Sequence, residues 1–322
     1  MKERNISIDI LRFFAAILIT NSHMDVLYHP YEFLGTGGAI GDALFFFASG
    51  FTLFLGEMRR FDNYYKRRIN RIYPTVFSWA LIASIFFLDS ANMKTVIFTG
   101  GGWFVSCIMI YYIILYFIRK YMYNHLILAF GLASAIVLTW YFFEDKTTVF
   151  MYGGGRSTFF GWGHYFLFML LGAILGSTKK QWNFVFKKDI LKLVLCTIVY
   201  YAILAIADKY EKVTKFQILS LLPLLGTIFY FYKICNSKLL KKIYYSKFNK
   251  MIVLISMLCL EIYVVQGTLL TDKMNALFPF NIVIMFTIIV ICAYAVKVLS
   301  RIFSQIFMDA PFNWNAIFQI KN

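Results

Sequence analysis

The sequence predicts an all-α protein, a polytopic bundle of about ten transmembrane helices with both termini on the cytoplasmic side. Three observations carry that expectation. Of 322 residues, 60% are hydrophobic, 20% aromatic and only 15% charged, whereas a soluble domain carries about 25% charged residues. Apolar runs of roughly 17 to 22 residues recur along the chain, the length that crosses a bilayer as a helix. The Lys and Arg residues fall unevenly between alternate connecting segments. A soluble globular domain, a disordered chain and a disulfide scaffold are all excluded by this composition. A β-barrel is excluded because none of the runs alternates apolar and polar positions.

The runs lie at 8–28, 39–56, 72–88, 102–118, 125–143, 159–176, 190–207, 216–232, 251–270 and 280–300. The first follows Lys2 and Arg4, as a signal peptide would. Asp9 and Arg12 interrupt it and no small-residue cleavage site follows, so it reads as a retained span. With both termini inside, 25 of the 32 Lys and Arg fall in inner segments and 7 in outer ones. The net charge of +16 is then mostly a lipid-facing collar. No basic face of a soluble domain exists to hold nucleic acid, so no nucleic-acid partner is expected. Connecting segments are short and no internal repeat is visible, so residues 1–322 read as a single membrane domain. The five Cys are scattered without CxxC spacing and the four His form no HExxH, so no metal is implied.

Charged groups inside a bilayer are costly and mark functional candidates. Asp9 and Arg12 are three residues apart on one face of the first span. His23 lies eleven residues beyond Arg12, about 16 Å along the helix and close to three turns, so the two share a face. Snorkelling and interfacial roles are the plainer readings of both. In the second span, Ser49 and Gly50 sit in an aromatic run and permit close helix approach, which argues packing before chemistry. The segment Tyr64–Pro74 places Arg67, Arg68 and Arg71 at helical spacing on the cytoplasmic side. Arginine forks suit phosphate oxygens, and lipid headgroups and a phosphorylated ligand both remain open. Pro74 fits a bend or the first turn of a new helix. Trp103 follows Gly101 and Gly102, and Arg156 and His164 flank the start of the sixth span; belt or loop roles suit all three. Glu261 is the lone acid of the ninth span, followed by Tyr263 and Gln266, and should face the bundle interior.

These elements together resemble the acyltransferase-3 family of integral-membrane O-acyltransferases. The resemblance rests on Ile8–Ala16 with His23 on the same helix, on Phe45-Phe46-Phe47-Ala48-Ser49-Gly50-Phe51, and on Arg67-Arg68-Ile69-Asn70-Arg71-Ile72-Tyr73-Pro74. Weaker matches are Trp103-Phe104, Tyr165–Gly172 and Leu260–Gln266. Gln266 stands where the family commonly has His, which leaves His23 as the candidate base. The resemblance implies transfer of an acyl group, commonly acetyl, from acetyl-CoA to a hydroxyl of a glycan or lipid-linked saccharide. It implies Arg67, Arg68 and Arg71 at the donor phosphates, His23 as general base, and Arg12 with Asp9 as its partner at developing charge. Ser49, Trp103, Glu261 and Tyr263 become candidates for lining the substrate channel. The implied location is the cytoplasmic membrane, multi-pass. A transporter or flippase for a glycan or small anion is the competing reading, as is a membrane scaffold without turnover.

Overall fold

The computed structural model describes residues 5–86, 102–151, 159–178, 182 and 184–319, and among them every regular element is helical. The long helices are α1 (Ile6–His23), α2 (Gly38–Leu55), α3 (Phe61–Phe86), α4 (Trp103–Tyr121), α5 (Leu126–Phe143), α6 (Phe159–Ser177), α7 (Phe186–Lys209) and α8 (Leu221–Cys235). They are followed by α9 (Lys238–Tyr244), α10 (Asn249–Met257), α11 (Cys259–Leu269) and α12 (Phe280–Ile306). Eight helices among the described residues, α1, α2, α4 to α8 and α12, are long and apolar enough to cross a membrane, and the bent pair α10–α11 makes up to nine.

Two boundaries differ from expectation. The run 251–270 is not one helix: α10 and α11 meet at Leu258 with a bend of 74°. Around that point Ser256 Oγ donates to Val253 O at 2.9 Å and Cys259 Sγ sits 3.6 Å from Ile255 O. Such back-bonding competes for helical carbonyls and bends helices. Pro74 does not start a helix either; it lies inside α3, which runs unbroken from the arginine segment into the apolar half. Pro74 carries no N–H for the Asn70 carbonyl, a helix-interior cost that neighbouring packing offsets. Residues 87–88 of the third expected span, together with Gly101 and Arg156, lie outside the described residues.

Contacts group the chain into two compact units, Met1–Ala15 with Gly38–Glu57 and Phe117–Asn249, and Ala16–Gly37 with Met58–Tyr116 and Lys250–Asn322. The core of the first unit is the pairing of α2 with α6. Gly172 faces the Phe47 carbonyl and Gly176 the Phe51 carbonyl, so the two helices run parallel. A methyl group on Gly172 would collide with Phe47 O, one on Gly50 would collide with Met169 O, and one on Gly176 would lie 2.6 Å from Phe51 O. Backbone meets backbone here because Gly172 and Gly176 form a small-xxx-small pair, the close-approach device of membrane helices. Helix α7 rests on α8 through the Lys233–Asp189 ion pair at 2.8 Å, and Asp189 also accepts from Val185 N at the start of its own helix. The outward apolar faces are broad: Ile127, Phe142 and Leu191 are each more than 60% exposed, as lipid-facing positions should be.

In the second unit, α3, α11 and α12 pack against one another. Tyr64 Oη of α3 donates to Tyr112 O of α4 at 3.1 Å, and Tyr116 Oη of α4 donates to Arg59 O at 3.0 Å.

Candidate functional site

Helix α1 starts where Asn5 Oδ1 accepts from Ile8 N at 3.3 Å, an N-cap. In the first unit, Asp9 is buried and accepts from Tyr244 Oη at 3.2 Å. Arg12 is half-buried and donates through Nη2 to Thr52 Oγ1 at 3.3 Å. Thr52 in turn donates to Ser49 O at 3.1 Å and Ala48 O at 2.9 Å. Arg12 therefore reaches the Ser49 segment through a hydroxyl that sequence reasoning did not single out. Ser49 is buried on α2, beside Gly50 and the α6 seam.

In the second unit, His23 closes α1 and is exposed. The turn beyond it is held by polar side chains. Asn21 Nδ2 donates to Leu34 O at 2.8 Å and Thr36 O at 2.9 Å, while Tyr28 Oη donates to Asn21 Oδ1 at 2.6 Å. Burial pushes the Tyr28 phenol up from its ordinary range, so it stays protonated and keeps donating. Asn281 Nδ2 donates to Leu27 O at 2.8 Å, tying this turn to α12. Gly37, at φ +102°, takes the left-handed backbone that ends the turn.

The arginines separate. Arg68 is half-buried, its guanidinium 5.2 Å from the Tyr64 ring centroid and 5.5 Å from that of Tyr112. Its Nε is buried and has no partner among the described residues. Arg67 and Arg71 are exposed. Two of the three forks can share a direction: Arg67 and Arg71, four residues apart, lie on one exposed face, while Arg68, adjacent to Arg67 and so about 100° around the helix from it, turns toward the Tyr64 and Tyr112 rings. A guanidinium held over two rings keeps its fork edges available to an anion.

Glu261 is 0% exposed and stands in the first turn of α11, just past the break, where the helix dipole favours a carboxylate. Its Oε1 accepts from Thr75 Oγ1 of α3 at 2.8 Å and from Lys297 Nζ of α12 at 2.9 Å. Its Oε2 is buried with no partner among the described residues. Gln266 is 2% exposed, and its Oε1 is likewise unpartnered. Tyr263 packs on Phe104 at 5.1 Å between ring centroids, and a methyl group on Gly102 would collide with its hydroxyl. Trp103, half-buried, lies edge-on to Phe104 at 5.9 Å. The sequence reading missed Lys297, counted as part of the inner collar; a lone interior acid should have prompted a search for its cation. It also placed His164 near an interface. The ring is fully buried inside α6, 4.3 Å from the Tyr165 ring, because Gly161 and Gly163 belong to the helix rather than to a preceding loop.

A helical protein that crosses a membrane many times, with buried ion pairs and hydroxyl relays at helix packing interfaces, is the class these observations define. The acyltransferase domain family matches residues 5–301, essentially the whole chain. The chain belongs to that family, acyltransferase-3, and is a membrane acyltransferase. No curated protein and no solved structure matches it. Family membership sets aside the transport and scaffold readings.

Proposed function

We propose that the protein is an O-acyltransferase of the cytoplasmic membrane, moving an acetyl group from cytoplasmic acetyl-CoA to a hydroxyl of an exported or cell-surface glycan, free or lipid-linked. The observation that carries the donor side is Arg68. A half-buried guanidinium fixed over two tyrosine rings, with an unpartnered Nε, suits a phosphate oxygen better than a freely snorkelling cation does. Arg67 and Arg71, exposed on the same helix, supply further positive charge to the nucleotide end.

On the acceptor side, His23 is the general base. The acceptor oxygen attacks the thioester carbonyl while its proton passes to a His23 ring nitrogen. The carbon–sulfur bond breaks, the CoA thiolate takes up a proton, and the products are an ester and free CoA. Arg12, oriented through Thr52 and accompanied by Asp9, stabilises negative charge that develops during the transfer. Trp103, Glu261 and Tyr263, all of the second unit, line the route of the substrates.

The test is transfer of label from radioactive acetyl-CoA into extractable glycan, in membranes carrying wild type or His23→Ala at equal levels. Label with wild type and a loss of about 10²-fold or more with the variant is expected. Near-normal transfer by His23→Ala would sink the base assignment, and no transfer by wild type supplied with native glycan would sink the reaction.

A further inference from the structure

The second unit contains two buried oxygens that ask for a donor. Glu261 Oε1 is saturated by Thr75 and Lys297, yet Glu261 Oε2 and Gln266 Oε1 have no hydrogen-bond partner among the described residues. Both lie on α11, five residues apart, which is about 7–8 Å of helix rise and about 140° around the axis, so a ligand that meets both must cross the helix obliquely. Buried acceptors are rarely left without a donor, because desolvating them is costly. The charges of Glu261 and Lys297 offset one another, so the buried second oxygen belongs to a neutral pair and calls for a neutral N–H or O–H rather than a cation. Helix α3 supplies the register. Thr75, which holds Glu261, lies seven residues beyond Arg68 and so on nearly the same face, about 10 Å further along. Arg71, three residues beyond Arg68 on the edge of the same stripe, is exposed. One stripe of α3 thus leads from a guanidinium with an unpartnered Nε to a carboxylate with an unpartnered oxygen.

A ligand that fits has an anionic head and an uncharged arm bearing more than one N–H or O–H group. We infer that Glu261 and Gln266, with Lys297 and Thr75 as positioning residues, bind the amide-bearing pantetheine arm of the acyl-CoA donor by accepting hydrogen bonds from its N–H and O–H groups. This rests on the acyl-CoA reading above and deepens it: Arg68 takes the phosphates, and α11 takes the arm that carries the thioester. Lys297 and Thr75 hold one carboxylate oxygen so that the other stays directed at the arm.

The test measures binding, so it does not depend on the acceptor. The full chain in nanodiscs is titrated with acetyl-CoA, which has head and arm, and with adenosine 3′,5′-bisphosphate, which has the head alone. Gln266→Leu should weaken acetyl-CoA binding about tenfold and leave the bisphosphate unchanged. Arg68→Ala should weaken both. Lys297→Arg, which keeps the cation, should bind acetyl-CoA within about threefold of wild type, whereas Lys297→Met should resemble Gln266→Leu. Equal effects of Gln266→Leu on the two probes, or no effect on either, would overturn the arm site, as would filling of both oxygens by water alone with unchanged acetyl-CoA affinity. Failure of wild type to bind either probe would overturn the site and the donor together. Binding of acetyl-CoA with the arm-dependent pattern but no acetyl transfer would leave the site standing and sink the reaction proposed above.

Discussion

The α2–α6 seam and the α3–α11–α12 junction join helices by opposite means. At the seam, three glycines bring backbone onto backbone, and shape complementarity holds the contact. At the junction, a carboxylate, an ammonium and a hydroxyl meet on three helices. Lipid tails are as apolar as leucine, so neither contact draws on the hydrophobic effect, and each relies on what lipid cannot supply, close packing in one case and hydrogen bonding in the other. The difference is one of repair. A clash with a main-chain carbonyl cannot be relieved by changing a side chain, but an unbalanced charge can be relieved by neutralising its partner. The difference is also one of completeness: the polar junction keeps a buried acceptor, Glu261 Oε2, that has no partner among the described residues.

The largest expected effect tests the junction. Lys297→Met leaves the Glu261 charge buried and uncompensated, with a loss of about 3–5 kcal/mol of stability. Adding Glu261→Gln should recover most of it, since a buried pair replaced by neutral groups is often close to neutral in stability. Thermal unfolding in one detergent, across the single and double variants, decides this; no recovery in the double variant would show that the junction is not governed by charge balance. At the seam, Gly172→Ala should cost about 1–3 kcal/mol or more by overpacking, and adding Phe47→Ala should restore none of it, because the clash is with the Phe47 carbonyl. Rescue by that second change would break the contrast. The smallest effect lies in the turn after His23. Tyr28→Phe removes one hydrogen bond to Asn21 and should cost about 0.5–1.5 kcal/mol, visible as faster amide exchange over residues 24–37 with little change in melting temperature.

How far the sequence discloses these features depends on what each one averages over. Helix positions were legible because apolar runs of bilayer length have few other solutions, and the interior placement of Glu261 followed from the cost of an exposed acid in lipid. The break at Leu258 was not, since hydropathy over 251–270 is uniform and the bend arises from Ser256 and Cys259 back-bonding that any window smooths away. Arg67, Arg68 and Arg71 were legible as a cluster, yet which of them turns inward is decided by the Tyr64 and Tyr112 rings, one of which comes from another helix. Lys297 was hidden by its position near the end of a span, where a lysine ordinarily belongs to the collar. The glycine seam was half legible: Gly50 announced close approach, but only the folded chain names Met169 as what it approaches, and Phe47 as what Gly172 approaches.

The parallel seam has a consequence for how the chain is made. Gly50 and Gly172 are separated by about 120 residues, so at 5–20 residues per second α2 leaves the ribosome some 6–24 seconds before its partner does. During that interval the notch at Gly50 has no helix to fill it. A nascent chain arrested before Phe159 therefore carries α2 without its α6 partner, held by lipid or by the insertion machinery, and open to membrane quality control at that stage of synthesis.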